Sequence, residues 1–163
     1  MAIGIYALTP RLRRFIPRVA TCAILPGLTV YLVKFTVPRI RPAKYYPEFP
    51  ETGAETWLGF APLTDLNTEY LYQSFPSGHT ALAVGLAMGM TWILPRGWFL
   101  FFALAGLAAY QRVAFGAHWP SDVFAGAALG AMMGGSLLKI GWPESGSVCW
   151  SASWLVAMTT DAS

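Results

Sequence analysis

The chain has 163 residues, 55% of them hydrophobic and only 12% charged, with a mean hydropathy of +0.48. A soluble domain carries about 25% charged residues, so this balance marks a membrane protein. The formal net charge of +3 comes without any dense Lys/Arg stripe, and no nucleic-acid partner is expected. Cys22 and Cys149 lie far apart and give neither a disulfide framework nor a metal-ligand spacing.

In chain order, Arg11, Arg13, Arg14 and Arg18 precede an apolar stretch, as in the charged start of a signal peptide. Pro17 and Pro26 interrupt that stretch, no small-x-small cleavage site follows, and "VATC" is a poor lipoprotein box. The segment therefore reads as an uncleaved membrane helix. Apolar runs fall at about Phe15–Val33, Thr80–Leu94, Trp98–Tyr110 and Val123–Leu138. Their uncharged cores are shorter than the roughly 20 residues that span a bilayer, so each helix borrows its flanks. A fifth patch, "VCWSASWLVAM", is too short to span and is expected to lie at the interface or to be frayed.

The fold class expected is all-α, a polytopic membrane helical bundle of about four transmembrane helices. A basic amino terminus, 1–14, would lie in the cytoplasm and a tail at 141–163. Between them, 15–140 forms the membrane-embedded domain, with an extracytoplasmic loop at about 36–76. With the first arginines inside, Arg96 and Lys139 also fall inside, and 34–79 and 112–122 share the opposite side. That leaves six cations against five. The positive-inside rule then holds only if the outer cations have another job. Gly85 and Gly89, and Gly126, Gly130 and Gly134, recur at the four-residue spacing that lets helices approach closely. Packing within the chain's own bundle is the favoured reading of them; a homo-oligomer face is the alternative.

Three clusters share the outer side: "KFTVPRIRP", "FPSGHTA" and "QRVAFGAHWPSD". Ser77 suits a helix N-cap, and Gly78 lets the backbone approach a ligand. Free first-turn N–H groups and the helix dipole form an anion site, with His79 beside it. An ordinary capped helix with an interfacial histidine explains the same residues equally well. Trp119 before Pro120 starts another helix, placing His118 just ahead of it and Asp122 in its first turn. A carboxylate bonded to one imidazole nitrogen leaves the other free to attack. A metal site needs at least a third ligand and only His79 is available, so none is expected. Lys34, Arg41 and Arg112 could be snorkelling cations or headgroup anchors, and Arg39 and Lys44 read as such. Arg112 ends an apolar helix on the side of both histidines, which favours a functional site.

Lys34-x6-Arg41-Pro42, then Pro76-Ser77-Gly78-His79, then Arg112-x5-His118-x3-Asp122 together resemble the three-part signature of the type 2 phosphatidic acid phosphatase family, which includes the vanadium haloperoxidases. The resemblance covers roughly Lys34 to Lys139. It implies that Lys34, Arg41 and Arg112 bind phosphate oxygens, helped by the Ser77 hydroxyl and the Gly78 N–H. It further implies that His118 is a nucleophile forming a phosphohistidine, Asp122 orients it, and His79 protonates the leaving group. No cofactor or metal is implied. The third motif begins Gln111-Arg112 where the family has Ser-Arg; Gln111 can still donate a hydrogen bond, so tuned activity is expected. Membrane members have six spanning helices, and the missing pair would precede Phe15.

The function so implied is hydrolysis of a lipid phosphate or diphosphate at the outer face of a bacterial inner membrane. A haloperoxidase-like enzyme is disfavoured by the membrane-grade apolar runs. A non-catalytic protein that binds lipid phosphate is the remaining alternative. Polyprenyl diphosphate, phosphatidic acid, phosphatidylglycerol phosphate and lipid A all fit. The 43–75 loop holds many aromatics, which suit an interfacial belt or lid. Its acidic residues read as solvating.

Overall fold

A computed structural model of the protein describes residues 15–42, 56–60 and 70–140. Four helices make up its core: α1 (Ile16–Lys34), α2 (Gly78–Ile93), α3 (Trp98–Ala114) and α4 (Pro120–Lys139). Among the described residues there is no strand, only isolated bridges from Arg39 to Trp57 and Gln73. The expected all-α bundle is what the structure has, and its helix bounds fall close to the four apolar runs. In lipid each backbone N–H and C=O must be satisfied within its own segment, so apolar runs of this composition become helices. Ile16–Lys34, Pro95–Ala114 and Pro120–Lys139 are long and apolar enough to cross a membrane. At 16 residues α2 is shorter, and it occupies the middle, packed on α1, α4 and α3. The acidic part of the 43–75 loop, Tyr45, Tyr46, Phe49, Lys44 and the "VCWSASWLVAM" patch lie outside the described residues.

Close approach of the helices depends on small residues. Pro26 lacks an N–H and so leaves the Cys22 carbonyl without its intrahelical donor. Gly85 of α2 packs against that oxygen; a Cβ there would lie only 2.0 Å away. Gly130 sits likewise on the Ala81 carbonyl, where a Cβ would come within 2.5 Å. The glycine spacing therefore serves packing inside the bundle. α3 is peripheral, with Ala105 its one buried residue and Phe99, Leu104, Leu107 and Tyr110 turned outward, as a lipid-facing helix should be.

Arg18 has a structural task that its place among the leading arginines does not convey. Its Nη2 donates to the carbonyls of Leu138 (2.7 Å) and Ile140 (3.0 Å), and its guanidinium lies over Trp92. The start of α1 is thereby tied to the end of α4. At the opposite end of the bundle, the exit of α1 and α3 meets the entry of α2 and α4, and all three charged clusters converge.

Candidate active site

The first contributor is the turn between α3 and α4. Gly116 has φ of 63°, and its N–H donates to Val113 O while Ala117 N–H donates to Arg112 O. This is a Schellman termination, which needs glycine at its left-handed position. It reverses the chain so that His118 falls back beside Arg112. Pro120 then opens α4, and Asp122 Oδ2 accepts the Trp119 N–H at 2.9 Å as half of a capping box.

Lys34, Arg41, Gly78, His79, Arg112 and His118 line one cavity of about 270 Å³. Toward α1 and α2 its wall becomes apolar, through Gly27, Val30, Tyr31 and Leu82. Lys34 Nζ donates to Gln73 O at 2.7 Å. Arg41 donates to the carbonyls of Tyr70 (2.9 Å), Ala117 (2.7 Å) and Gln73 (3.1 Å), and stacks on the Tyr70 ring. These partners are neutral oxygens, so they orient the cations without cancelling their charge. Among the described residues Asp122 is the sole carboxylate, and it pairs with Arg39. Among the described residues, Lys34, Arg41 and Arg112 therefore give the cavity a positive lining. His79 is exposed, in the first turn of α2, where the N–H groups of Gly78 and His79 have no intrahelical acceptor.

His118 is 3% exposed, and its Nδ1 lies 2.7 Å from the Ser74 carbonyl oxygen. A carbonyl only accepts, so Nδ1 carries the proton, and in the neutral imidazole Nε2 keeps its lone pair. The direct bond expected from Asp122 is not the one made. Asp122 Oδ2 stands 3.8 Å from Nδ1, beyond hydrogen-bond range. It instead accepts the Ser74 hydroxyl at 2.5 Å, while Oδ1 takes Arg39 Nη1. Asp122 thus acts on His118 through Ser74 and through its field. Burial pushes the His118 imidazole below the ordinary histidine range; Asp122 opposes this, and Arg41 and Lys34 reinforce it.

Three further expectations change. Ser77 occupies the N-cap position, but its hydroxyl makes no capping bond. That hydroxyl accepts from Thr80 Oγ1 at 2.9 Å, and its backbone N–H donates to Asp122 O at 3.0 Å, which locks α2 onto α4. Ser77 is fully buried and does not line the cavity. Gln111 acts on Arg112 as an acceptor: its Oε1 accepts from Arg112 Nε, at 2.9 Å, and from Nη2. A serine side chain is too short for that two-point contact. Gln111→Ser should therefore leave Arg112 less ordered, raising KM severalfold with a smaller change in kcat, as read from steady-state kinetics. Arg39, which reads from sequence as a snorkelling cation or headgroup anchor, is 4% exposed and bound to Asp122. The available signal was its two-residue spacing from Arg41, since side chains of an extended segment repeat direction every two residues. Ser74 carried no such signal. Among the described residues no three His, Cys, Asp or Glu side chains form a cluster able to hold a metal.

Fold and site together define a helical membrane protein with a cationic, histidine-lined cavity at one end of its bundle. The sequence model of the PAP2 superfamily matches residues 16–145. The chain belongs to that superfamily. It is 29% identical over 136 residues to a lipid A 1-phosphatase of Rhizobium etli, covering 76% of this chain and 54% of the relative. It is 32% identical over 133 residues to a lipid A 1-phosphatase of Rhizobium johnstonii, covering 74% and 50%. An undecaprenyl-diphosphatase of Sulfolobus acidocaldarius is 33% identical over 94 residues, covering 53% and 45%. The chain thus spans about half the length of these curated relatives. No solved structure matches it significantly.

Proposed function

We propose that this chain is a membrane phosphatase that hydrolyses a lipid phosphate or diphosphate through a phosphohistidine. The observation that carries the reading is the 2.7 Å contact of His118 Nδ1 with the Ser74 carbonyl, which leaves Nε2 of the neutral imidazole free in a cavity lined by three cations that no described carboxylate pairs with. Nε2 attacks phosphorus in line as the P–O bond to the leaving group breaks, and His79 passes a proton to the departing oxygen. Lys34, Arg41, Arg112 and the Gly78 N–H stabilise the charge spread over the equatorial oxygens. Water then cleaves the P–N bond, returning His118 and releasing phosphate. The apolar wall of Val30, Tyr31 and Leu82 suits the first carbons of a lipid tail.

Purified protein in detergent should release phosphate from a lipid phosphate with excess chelator present, and vanadate should inhibit it. A chelator-sensitive activity restored by one divalent ion would replace this mechanism with a metal-dependent one. The relatives' names make lipid A and undecaprenyl diphosphate the first members of a substrate panel. We also place the site at the outer face of a bacterial inner membrane. A cysteine at Phe60 should then label from outside with an impermeant reagent and one at Arg96 should not; the reverse pattern would invert the orientation.

Gly126 offers a separate check on the helix N-terminus. A Cβ there would lie 2.3 Å from the Ser77 carbonyl oxygen, so Gly126→Ala must displace the entry of α2. Gly85→Ala meets an equally unyielding backbone oxygen, but near mid-helix. Each should cost about 1–3 kcal/mol or more of stability. Only Gly126→Ala should also weaken vanadate inhibition severalfold, measured on protein that remains folded.

A further inference from the structure

We infer that Arg39 is a positioning residue for His118, acting through Asp122 and Ser74 rather than on the phosphate itself. This rests on the phosphohistidine reading. Unlike Lys34, Arg41 and Arg112, Arg39 does not line the cavity. Its Nη1 donates to Asp122 Oδ1 and, at 2.7 Å, to Ser121 Oγ; its Nε donates to Thr56 Oγ1 at 3.2 Å. The guanidinium lies over Trp57 at 4.1 Å, which closes it off from solvent. Side chain and backbone of this one residue converge on Ser74. The Arg39 carbonyl accepts the Ser74 N–H at 3.0 Å, while Asp122, held by the Arg39 guanidinium, accepts the Ser74 hydroxyl. Ser74 is thereby clamped at both ends, and its carbonyl is the acceptor that fixes the His118 proton on Nδ1.

A second consequence is electrostatic. Lys34 from α1, Arg41 from the segment after it, His79 from α2, Arg112 from α3 and Asp122 from α4 all face His118 or its cavity. Of these Asp122 alone is negative. Pairing with Arg39 keeps that charge from repelling a bound phosphate and from stabilising an imidazolium at His118.

The test measures phosphoenzyme formation from radiolabelled phosphatidic acid by rapid quench across pH, in detergent, for wild type, Arg39→Gln and Arg39→Lys. Arg39→Gln exposes His118 to an unpaired carboxylate, so more imidazolium must be deprotonated before attack. Its acid limb should move to higher pH, and phosphorylation at the optimum should slow by about 10²-fold as Ser74 loses its hold. Arg39→Lys keeps the charge and should return the acid limb to the wild-type position, with only part of the rate because the fork is lost. A purely structural arginine would lower thermal stability without moving the limb. The inference is overturned by an Arg39→Gln protein with the wild-type limb, whatever its rate. Should Arg39→Gln not fold, Ser74→Ala and Arg39→Lys decide. Slowed phosphorylation in Ser74→Ala with a wild-type limb in Arg39→Lys supports the clamp, and a wild-type rate in Ser74→Ala overturns it. Wild type that turns over without any phosphohistidine would overturn the underlying reading as well; a wild-type phosphoenzyme with insensitive variants overturns only the role of Arg39.

Discussion

His118→Ala is expected to abolish turnover on every substrate, because no phosphoenzyme can form without Nε2. Removing the nucleophile of a covalent mechanism costs on the order of 10⁶-fold. His79→Ala should behave differently. On lipid phosphates, whose alkoxide leaving group needs a proton, it should cost about 10²–10⁴-fold. On p-nitrophenyl phosphate, whose leaving group is already stable, the loss should be small. Parallel kinetics of both variants on both substrates separate the roles, and equal losses on the two substrates for His79→Ala would remove it as the general acid. The pH dependence follows from the same geometry. In the proposed mechanism His118 must be neutral to attack, and burial holds its imidazole below the usual histidine range. His118 is therefore in its attacking form at neutral pH, and that form is lost as pH falls through the lowered value. The acid limb of kcat/KM should lie below pH of about 6.5, the ordinary histidine value.

Asp122→Asn should produce the second large effect, on rate and stability together. The amide removes the charge that balances Arg39, and breaking a fully buried pair by neutralising one partner costs about 3–5 kcal/mol. It also presents Ser74 with a poorer acceptor, so the His118 acceptor shifts. The comparable aspartate of serine proteases sets a scale of about 10⁴-fold in rate when imidazole geometry or tautomer is spoiled. Because the carboxylate here acts through Ser74, a loss of about 10²–10⁴-fold is expected. Adding Arg39→Gln to Asp122→Asn should restore part of the stability by removing the stranded cation, while leaving the rate low. Thermal unfolding and initial rates in excess chelator, then with a series of divalent ions, check this. Rescue of Asp122→Asn by a specific ion would make Asp122 a metal ligand and end the relay assignment.

Much of this was written in one dimension. Apolar run length and the scarcity of charge determine a helical membrane bundle, because lipid leaves an apolar segment no other way to satisfy its backbone. The segments Phe15–Val33 and Val123–Leu138 read from sequence fall within a few residues of α1 and α4. The three motifs, each fixed at a helix end, place Lys34, Arg41, Gly78, His79, Arg112 and His118, and these do share one cavity. Helix ends are local features, set by Pro120, Gly116 and the start of the apolar runs, so their residues could be located from neighbours alone.

What the chain order could not decide was who bonds to whom across those ends. Arg39 and Lys44 look alike as juxtamembrane cations, yet Arg39 is sealed under Trp57 against Asp122, 83 positions away. Asp122, four residues after His118, has the spacing of a direct partner. Its oxygens go instead to Ser74, Trp119 and Arg39, and a carbonyl 44 positions away takes the imidazole proton. Hydrogen-bond choice depends on distances of a few tenths of an ångström between segments joined only by folding. Sequence determined which residues reach the site; the packing of α2 against α1 and α4 decided which of them line the cavity and which hold the others in place.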